Sequence, residues 1–168
     1  MRVEPLRNLA FFQDLSAGDM KLLAPYFTLE CFPIGTKVFD QGDRAVFLYL
    51  VVKGEVVIRY KPEDGPVMVV THVQKGGIFG WSAAMGNPVY TSAAVCDSDS
   101  EVVHIRGTDL RRLCDEYPRV GEVILSRLAA VIAERKKSQQ GQVTSLLANG
   151  IRQVPESQGG NDDDAVQN

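Results

Sequence analysis

The sequence predicts a mainly β fold, a sandwich, barrel or jelly roll, with helices on both sides of it. Between residues 28 and 107 the chain consists of short runs rich in Val, Ile, Phe, Tyr and Thr, separated by glycine-bearing turns. Helical patterns of apolar residues precede and follow this region. Many short strands with frequent turns are typical of closed or two-layered β architectures.

Residues 1–27 are predicted to form short helices. Apolar residues cluster between positions 6 and 12, and a better-marked helix follows. Ser16 is a favourable N-cap with Asp19 three residues later, which is the spacing of a capping box. Pro25 ends or bends this helix, because proline lacks the N–H that a helix interior needs.

The β domain is predicted to occupy residues 28–107. Its predicted strands cover residues 29–32, 37–41, 47–53, 55–61, 67–74, 90–96 and 101–106. The segment 62–66, with two prolines and a glycine, predicts a hairpin loop. His72 and His104, the only histidines, alternate with apolar residues, so we expect both side chains on the solvent side of their strands.

Residues 108–148 predict two helices, with Thr108 as N-cap of the first and Pro118 in the first turn of the second. The second helix has an apolar face that is broad for a single contact surface. We predict a homodimer seam at the positions with coiled-coil spacing, Ile124, Leu128 and Val131. The alternative is that these residues cover the domain's own core. Residues 149–168, rich in Gly, Gln, Ser and Asp, predict a disordered tail.

The bulk composition narrows the class of protein. A chain of 168 residues with 45% hydrophobic and 23% charged residues fits one soluble globular domain with an appendage. A net charge of −3 argues against nucleic acid as a partner. No apolar run approaches the ~20 residues of a membrane-spanning helix, so we expect no membrane insertion. No secretory signal is visible, and we therefore expect a cytoplasmic protein.

No catalytic or metal centre is predicted. The three cysteines, Cys31, Cys96 and Cys114, are widely spaced and include no CxxC pair, so we expect free thiols. Without a plausible nucleophile–base arrangement, we expect no enzymatic activity, no cofactor and no metal. After Ile132 there is no second block of apolar periodicity, so we expect no helix-turn-helix domain.

Several glycine-bearing motifs make the fold prediction more specific. They are P-I-G-T at 33–36, Q-G-D at 41–43, K-G-E at 53–55 and G-I-F-G-W-S-A at 77–83. Glycines are useful where strands turn between sheets, because such corners need positive φ or close backbone approach. From Leu9 to Ile132 the chain resembles the cyclic nucleotide-binding domain family, which includes catabolite activator proteins and protein kinase A regulatory subunits. The resemblance implies a β-roll, or double-stranded β-helix, with a phosphate-binding cassette at residues 77–93.

The cassette departs from the pattern that the resemblance implies. In the family, a Gly-Glu pair opens a short helix that faces the cyclic phosphate, the Glu holds the ribose hydroxyl, and an Arg pairs with the phosphate. Gly80 matches the glycine, but Trp81 stands at the Glu position. The Arg position falls on Tyr90, or on Val89 in an alternative alignment. No residue from 76 to 96 is charged, so realignment does not restore the site. The candidate ligand-binding residues are the uncharged positions Gly80, Trp81, Ser82, Ala83, Val89, Tyr90, Thr91 and Ser92.

Trp81 has two interpretations. It either fills the space that a nucleotide would use, which we favour, or serves as an aromatic platform for a different, uncharged ligand.

These features predict a non-catalytic regulatory or scaffolding module that does not bind cAMP or cGMP tightly and acts through protein–protein interaction. We expect it to form a homodimer through its C-terminal helix or to be a subunit of a larger protein complex. The alternative is a small-molecule sensor of altered specificity that signals through its C-terminal helix. A redox or gas sensor that uses the cysteines or histidines is a third hypothesis.

Overall fold

The β region forms two four-stranded antiparallel sheets in the computed structural model, which describes the backbone of residues 3–152 and the side chains of residues 3–137. In chain order the strands are β1 (Thr28–Phe32), β2 (Lys37–Phe39), β3 (Phe47–Lys53), β4 (Val56–Tyr60), β5 (Met68–Val73), β6 (Ile78–Phe79), β7 (Ala93–Cys96) and β8 (Ser100–Arg106). The first sheet has the order β1-β8-β3-β6 and the second β2-β7-β4-β5. The predicted mainly β roll with flanking helices is confirmed, and the short strand β6 is an addition to it.

Glycines take the left-handed backbone conformation at the corners of the roll. Gly35, Gly42, Gly54 and Gly80 have φ of 84°, 89°, 92° and 75°. At the corner between β5 and β6, Gly76 has the left-handed conformation, with φ of 85°. These angles are unfavourable for residues with a Cβ, which explains why glycines mark the corners.

The described residues form four α-helices: α1 (Glu4–Arg7), α2 (Ala17–Leu23), α3 (Gly107–Glu116) and α4 (Pro118–Arg152). The predicted capping box of α2 is confirmed: the Asp19 N–H donates to Ser16 Oγ and the Ser16 N–H donates to Asp19 Oδ2, each at 3.1 Å. Helix α3 begins one residue before the predicted N-cap Thr108. Within the described residues, none of the helices combines the length and apolar character that crossing a bilayer requires.

The first sheet is covered on both faces. One face packs with the helices in a cluster that we call the helix-side core, which includes Leu48 and Leu50 of β3 and Val103 and Ile105 of β8. The other face meets the second sheet in a cluster that we call the roll interior, whose buried members are Phe39, Tyr49, Val51, Val56, Ile58, Val73, Phe79, Tyr90, Ala94, Cys96 and Val102. Most β8 side chains are therefore buried or partly buried on whichever face they lie, and Arg106 at the end of the strand is exposed.

His104 shows the consequence. As predicted, His104 lies on the face of β8 opposite to that of Val103 and Ile105. The prediction that this face is exposed to solvent is wrong, because it borders the roll interior. Its side chain is 13% exposed, its ring lies 4.5 Å from the Phe47 ring, and Nε2 lies 3.1 Å from a Glu30 carboxylate oxygen. Burial lowers the pKa of His104, although the Glu30 carboxylate opposes that shift. His72 is on the solvent side, as expected, with a side chain 52% exposed.

The predicted homodimer seam requires a correction. Ile124 and Leu128 are 1% and 3% exposed and belong to the helix-side core, and the partly buried Val131 packs against it. All three therefore cover the chain's own core, which was the alternative interpretation of the same stripe. Among the α4 side chains that the structure describes, the exposed large hydrophobic residue is Leu125, at 46%.

The chain falls into two units, Met1–Ile132 and Ala133–Asn168. The second unit is helical as far as Arg152, past the predicted start of the tail at residue 149. The rest of the predicted tail, 153–168, lies outside the described residues.

Candidate functional site

The cassette, residues 77–93, opens with a sharp turn at Gly80, directly after β6. A Cβ at this position would lie 3.0 Å from the Phe47 carbonyl oxygen and 3.3 Å from the Phe39 ring. Gly80 also has a φ of 75°. Both the backbone conformation and the lack of space therefore require glycine here.

The chain then makes consecutive turns over residues 81–86, where the resemblance implies a short helix. The Met85 N–H donates to the Trp81 carbonyl oxygen at 3.0 Å. Trp81 is half-buried and packs against the helix-side core, and Ser82 and Ala83 are only 5% and 3% exposed. The indole of Trp81 is therefore directed away from the roll interior, so it does not fill the space between the sheets.

Tyr90, one of the two positions on which the family's arginine was expected to fall, is buried in the roll interior. It is 4% exposed, and its ring stacks on Phe39 with centroids 3.7 Å apart and an interplanar angle of 13°. Its hydroxyl donates to the Phe47 carbonyl oxygen at 2.7 Å and accepts from the Phe47 N–H at 3.0 Å. Burial raises the pKa of this phenol, so the group stays neutral. The side chain is fixed at both its ring and its hydroxyl.

A continuous aromatic cluster extends from Tyr90 across the roll interior. Phe39 contacts Tyr49 and Phe79 with centroid distances of 5.8 and 6.0 Å, and Tyr49 stacks on Phe79 at 4.9 Å. Burial also raises the pKa of Tyr49. Among the described residues the one buried charged side chain is Asp19 of α2, so none lies in the roll interior. The buried side chains of this space are thus largely rings, and they offer no ionic contact to a ligand.

The remaining predicted site residues do not converge on the roll interior. Val89 is 42% exposed and its backbone pairs with Arg44. Thr91 is exposed and Ser92 partly buried. Tyr90 belongs to the aromatic cluster and Gly80 lies against it, whereas Trp81 packs on the helix-side core and Ala83 lines a different cleft, so the structure does not assemble the eight candidates into one pocket.

Cationic residues of the neighbouring strands and turns do not supply the missing charge. Lys53 and Lys75 are exposed. Arg59 lines a groove of about 410 Å³ together with Lys37 and Asp40. Ala93 and Val95 of β7 line the same groove and alternate with Ala94 and Cys96 of the roll interior, so the groove lies on the outer face of the second sheet.

The thiols show no arrangement typical of redox chemistry. Cys31 is exposed, Cys96 is buried and Cys114 partly buried, and all three are free. Burial raises the pKa of the Cys96 and Cys114 thiols, which makes them less reactive.

One group of potential metal ligands is present in the described part of the chain. Glu55, His72 and Asp97 each offer an atom within 4.8 Å of the others, and His72 Nδ1 lies 2.6 Å from a Glu55 carboxylate oxygen. The ring of His72 and the carboxylate of Asp97 are exposed, and the contact with Glu55 accounts for the position of the ring.

Sequence comparisons identify relatives of most of the chain. Residues 29–117 match the family model described as the cyclic nucleotide-binding domain. The chain is 29% identical over 116 residues to the cAMP-activated global transcriptional regulator CRP of Pasteurella multocida, in a match that covers 68% of this chain and 54% of that protein. The chain spans about half the length of the curated relatives it matches.

Solved structures give the same result. A Geobacter metallireducens protein named for cyclic nucleotide binding has a TM-score of 0.70 and 30% identity, with coverage of 80% of this chain and 98% of that one. A cyclic nucleotide-binding domain from Methylobacillus flagellatus has a TM-score of 0.75 at 19% identity, with coverage of 85% and 80%, which is a likeness of fold.

Proposed function

Because the chain belongs to the cyclic nucleotide-binding domain family, we propose that it is a non-catalytic regulatory module of that family which acts through protein–protein contacts and does not hold cAMP or cGMP tightly. We place it in the cytoplasm, where its free thiols stay reduced. A homodimer through α4 would use the outward face that carries Leu125, since Ile124 and Leu128 are buried in the chain's own core.

The observation that supports this proposal most strongly is the position of Tyr90. Where the resemblance implies an arginine for the cyclic phosphate, this chain has a phenol that stacks on Phe39 and bonds to the Phe47 backbone. Removing one partner of a buried, hydrogen-bonded charge pair costs about 2–5 kcal/mol. That cost corresponds to a loss of about tenfold to several thousandfold in affinity. The missing acidic group at Trp81 weakens ribose binding further.

We expect isothermal titration calorimetry to detect no saturable binding of cAMP or cGMP at micromolar concentration. The cassette has no charge to offer the phosphate, and the aromatic cluster occupies the space between the sheets. The cyclic AMP receptor protein of Thermus thermophilus, titrated under the same conditions, serves as the positive control. A saturable micromolar isotherm for either nucleotide would contradict the proposal.

The edge of the second sheet provides a surface suited to a protein partner. Strand β5 pairs only with β4 among the described strands, so its outer edge has backbone groups available for another strand. Apolar side chains surround this edge and are about half exposed: Tyr60 41%, Val67 56%, Met68 48% and Val69 55%. Contiguous exposed apolar residues mark interaction sites, and an extended partner segment can add to such an edge.

Replacing Val69 by glutamate is expected to abolish recovery of the partner when the tagged chain is purified from its native cells. A charge within the apolar edge would have to be desolvated on binding, so we expect at least about a tenfold loss. Ile34→Glu is the matched control, because Ile34 is 66% exposed and lies outside this edge. Equal recovery with both variants, or equal loss from both, would show that the β5 edge is not the interface.

A further inference from the structure

A second cleft lies beside the cassette, outside the roll interior. It has a volume of about 580 Å³ and is enclosed by the segment that leads into β3, the end of the cassette turns and the start of α3. Its charged lining residues are Arg44, Arg106 and Arg111, and no acidic side chain is among the described residues that line it. We call it the arginine cleft.

The three arginines are held by contacts that leave their charge uncompensated. Arg111 Nη1 donates to the Ala83 carbonyl oxygen at 3.3 Å, and the Arg106 guanidinium lies over the Phe47 ring, 5.7 Å from its centroid. The backbone of Arg44 pairs with the cassette at Val89. Within the described residues none of the three guanidinium groups forms an ion pair. All three side chains are exposed, and like charges grouped around a concavity create a positive potential that attracts anions.

We infer that the arginine cleft binds a small phosphate-bearing anion, such as a molecule with a pyrophosphate group. Guanidinium groups match phosphate oxygens in a bidentate geometry, and three of them suit a ligand with several negative charges. The volume lies within the ~300–1,000 Å³ of small-molecule pockets. Pro88 and Phe47 provide apolar surface for the rest of the ligand, while Thr108 and Asn87 add polar groups. A concave site of this size favours a small molecule over an extended acidic segment.

This site differs from the nucleotide position that the family resemblance implies. It lies on the side of the cassette turns that faces α3, and it uses none of the space that Tyr90 fills. A bound anion would bridge the cassette, through Asn87, and the first turn of α3, through Gly107 and Thr108. The inference therefore adds a ligand site to the proposed interaction module.

The test is a calorimetric titration of the full chain with pyrophosphate and with ADP. We expect saturable binding to the unmodified chain. The double substitution Arg44→Gln/Arg106→Gln should weaken it by at least about tenfold, because each lost charge-assisted contact counts for about a decade or more in affinity. Arg59→Gln is the matched control, because Arg59 lines the groove on the outer face of the second sheet. Affinity should be unchanged in that variant.

An independent measurement on the unmodified chain covers the case in which a variant fails to fold. Titration with pyrophosphate should shift the backbone amide resonances of Gly86, Gly107 and Thr108, which line the cleft. Three outcomes would overturn the inference: no saturable binding, resonance shifts elsewhere only, or equal weakening by Arg59→Gln. Tighter competition by hexaglutamate than by ADP would also overturn it, in favour of an acidic protein segment.

Discussion

Replacing Tyr90 by alanine is expected to lower the free energy of unfolding by about 3–5 kcal/mol, the usual cost of removing a buried aromatic side chain. Tyr90 is 4% exposed and stacks on Phe39, which in turn contacts Tyr49 and Phe79. The substitution therefore leaves a cavity at one end of the aromatic cluster. Urea denaturation followed by circular dichroism measures the change, provided that the dependence on urea concentration is unaltered.

Tyr90→Phe is the control that separates the ring from its hydroxyl. It keeps the stack on Phe39 but removes the two hydrogen bonds with the Phe47 backbone. An unsatisfied buried polar group costs about 1–3 kcal/mol, so we expect a smaller loss than for alanine. If the alanine and phenylalanine variants were equally stable, the ring would contribute no packing, and the roll interior would not be closed by Tyr90.

The sequence was sufficient for the fold because its signals there are local. A left-handed turn needs glycine, and Gly35, Gly42 and Gly54 mark corners whatever packs around them. The capping box of Ser16 and Asp19 is likewise complete within four consecutive residues. Strand β6 escaped notice because two residues, Ile78 and Phe79, are too few to show an alternation.

The side chain that fills the roll interior was harder to identify. Trp81 has the larger ring and occupies the family's Glu position, and both features favoured it as the residue that fills the ligand space. In the structure, the turn after Gly80 directs its side chain to the helix-side core. The strand pattern gives no signal for Tyr90. Ala94 and Cys96 point into the roll interior, but β7 begins at Ala93 and the chain bends at residues 91–92, so the two-residue alternation does not extend to position 90.

Features that depend on tertiary packing could not be predicted in the same way. The stripe of Ile124 and Leu128 fits a partner helix and the chain's own core equally well, because periodicity defines a face and not what covers it. The alternation around His104 likewise shows which face of the strand each side chain is on, but not whether that face is buried, and both faces of the first sheet are covered. The arginine cleft draws its charges from Arg44, Arg106 and Arg111. The pairing of Phe47 with Arg106 brings the segment before β3 to the start of α3, and the approach of α3 to the cassette completes the cleft.

That approach depends on Gly107, and Gly107→Ala is expected to destabilise the chain by about 2–3 kcal/mol through overpacking. A Cβ at Gly107 would overlap the Ala83 carbonyl oxygen and lie 2.7 Å from its carbon. These are backbone atoms, and the Gly107 N–H donates to the Val46 carbonyl oxygen at 3.0 Å, which holds the start of α3 in place. The first turn of α3 and the cassette turns would have to separate.

Gly18→Ala is the matched substitution, made in helix α2, where the added Cβ would lie no closer than 3.7 Å to the Ser16 hydroxyl. Alanine is favoured over glycine in helices by about 0.5–1 kcal/mol, so stability should be unchanged or slightly raised. Thermal denaturation of both variants gives the comparison. A Gly107→Ala variant as stable as Gly18→Ala would mean that the cassette moves freely away from α3. In that case the arginine cleft, which these two segments form together, would not be a fixed feature of the fold.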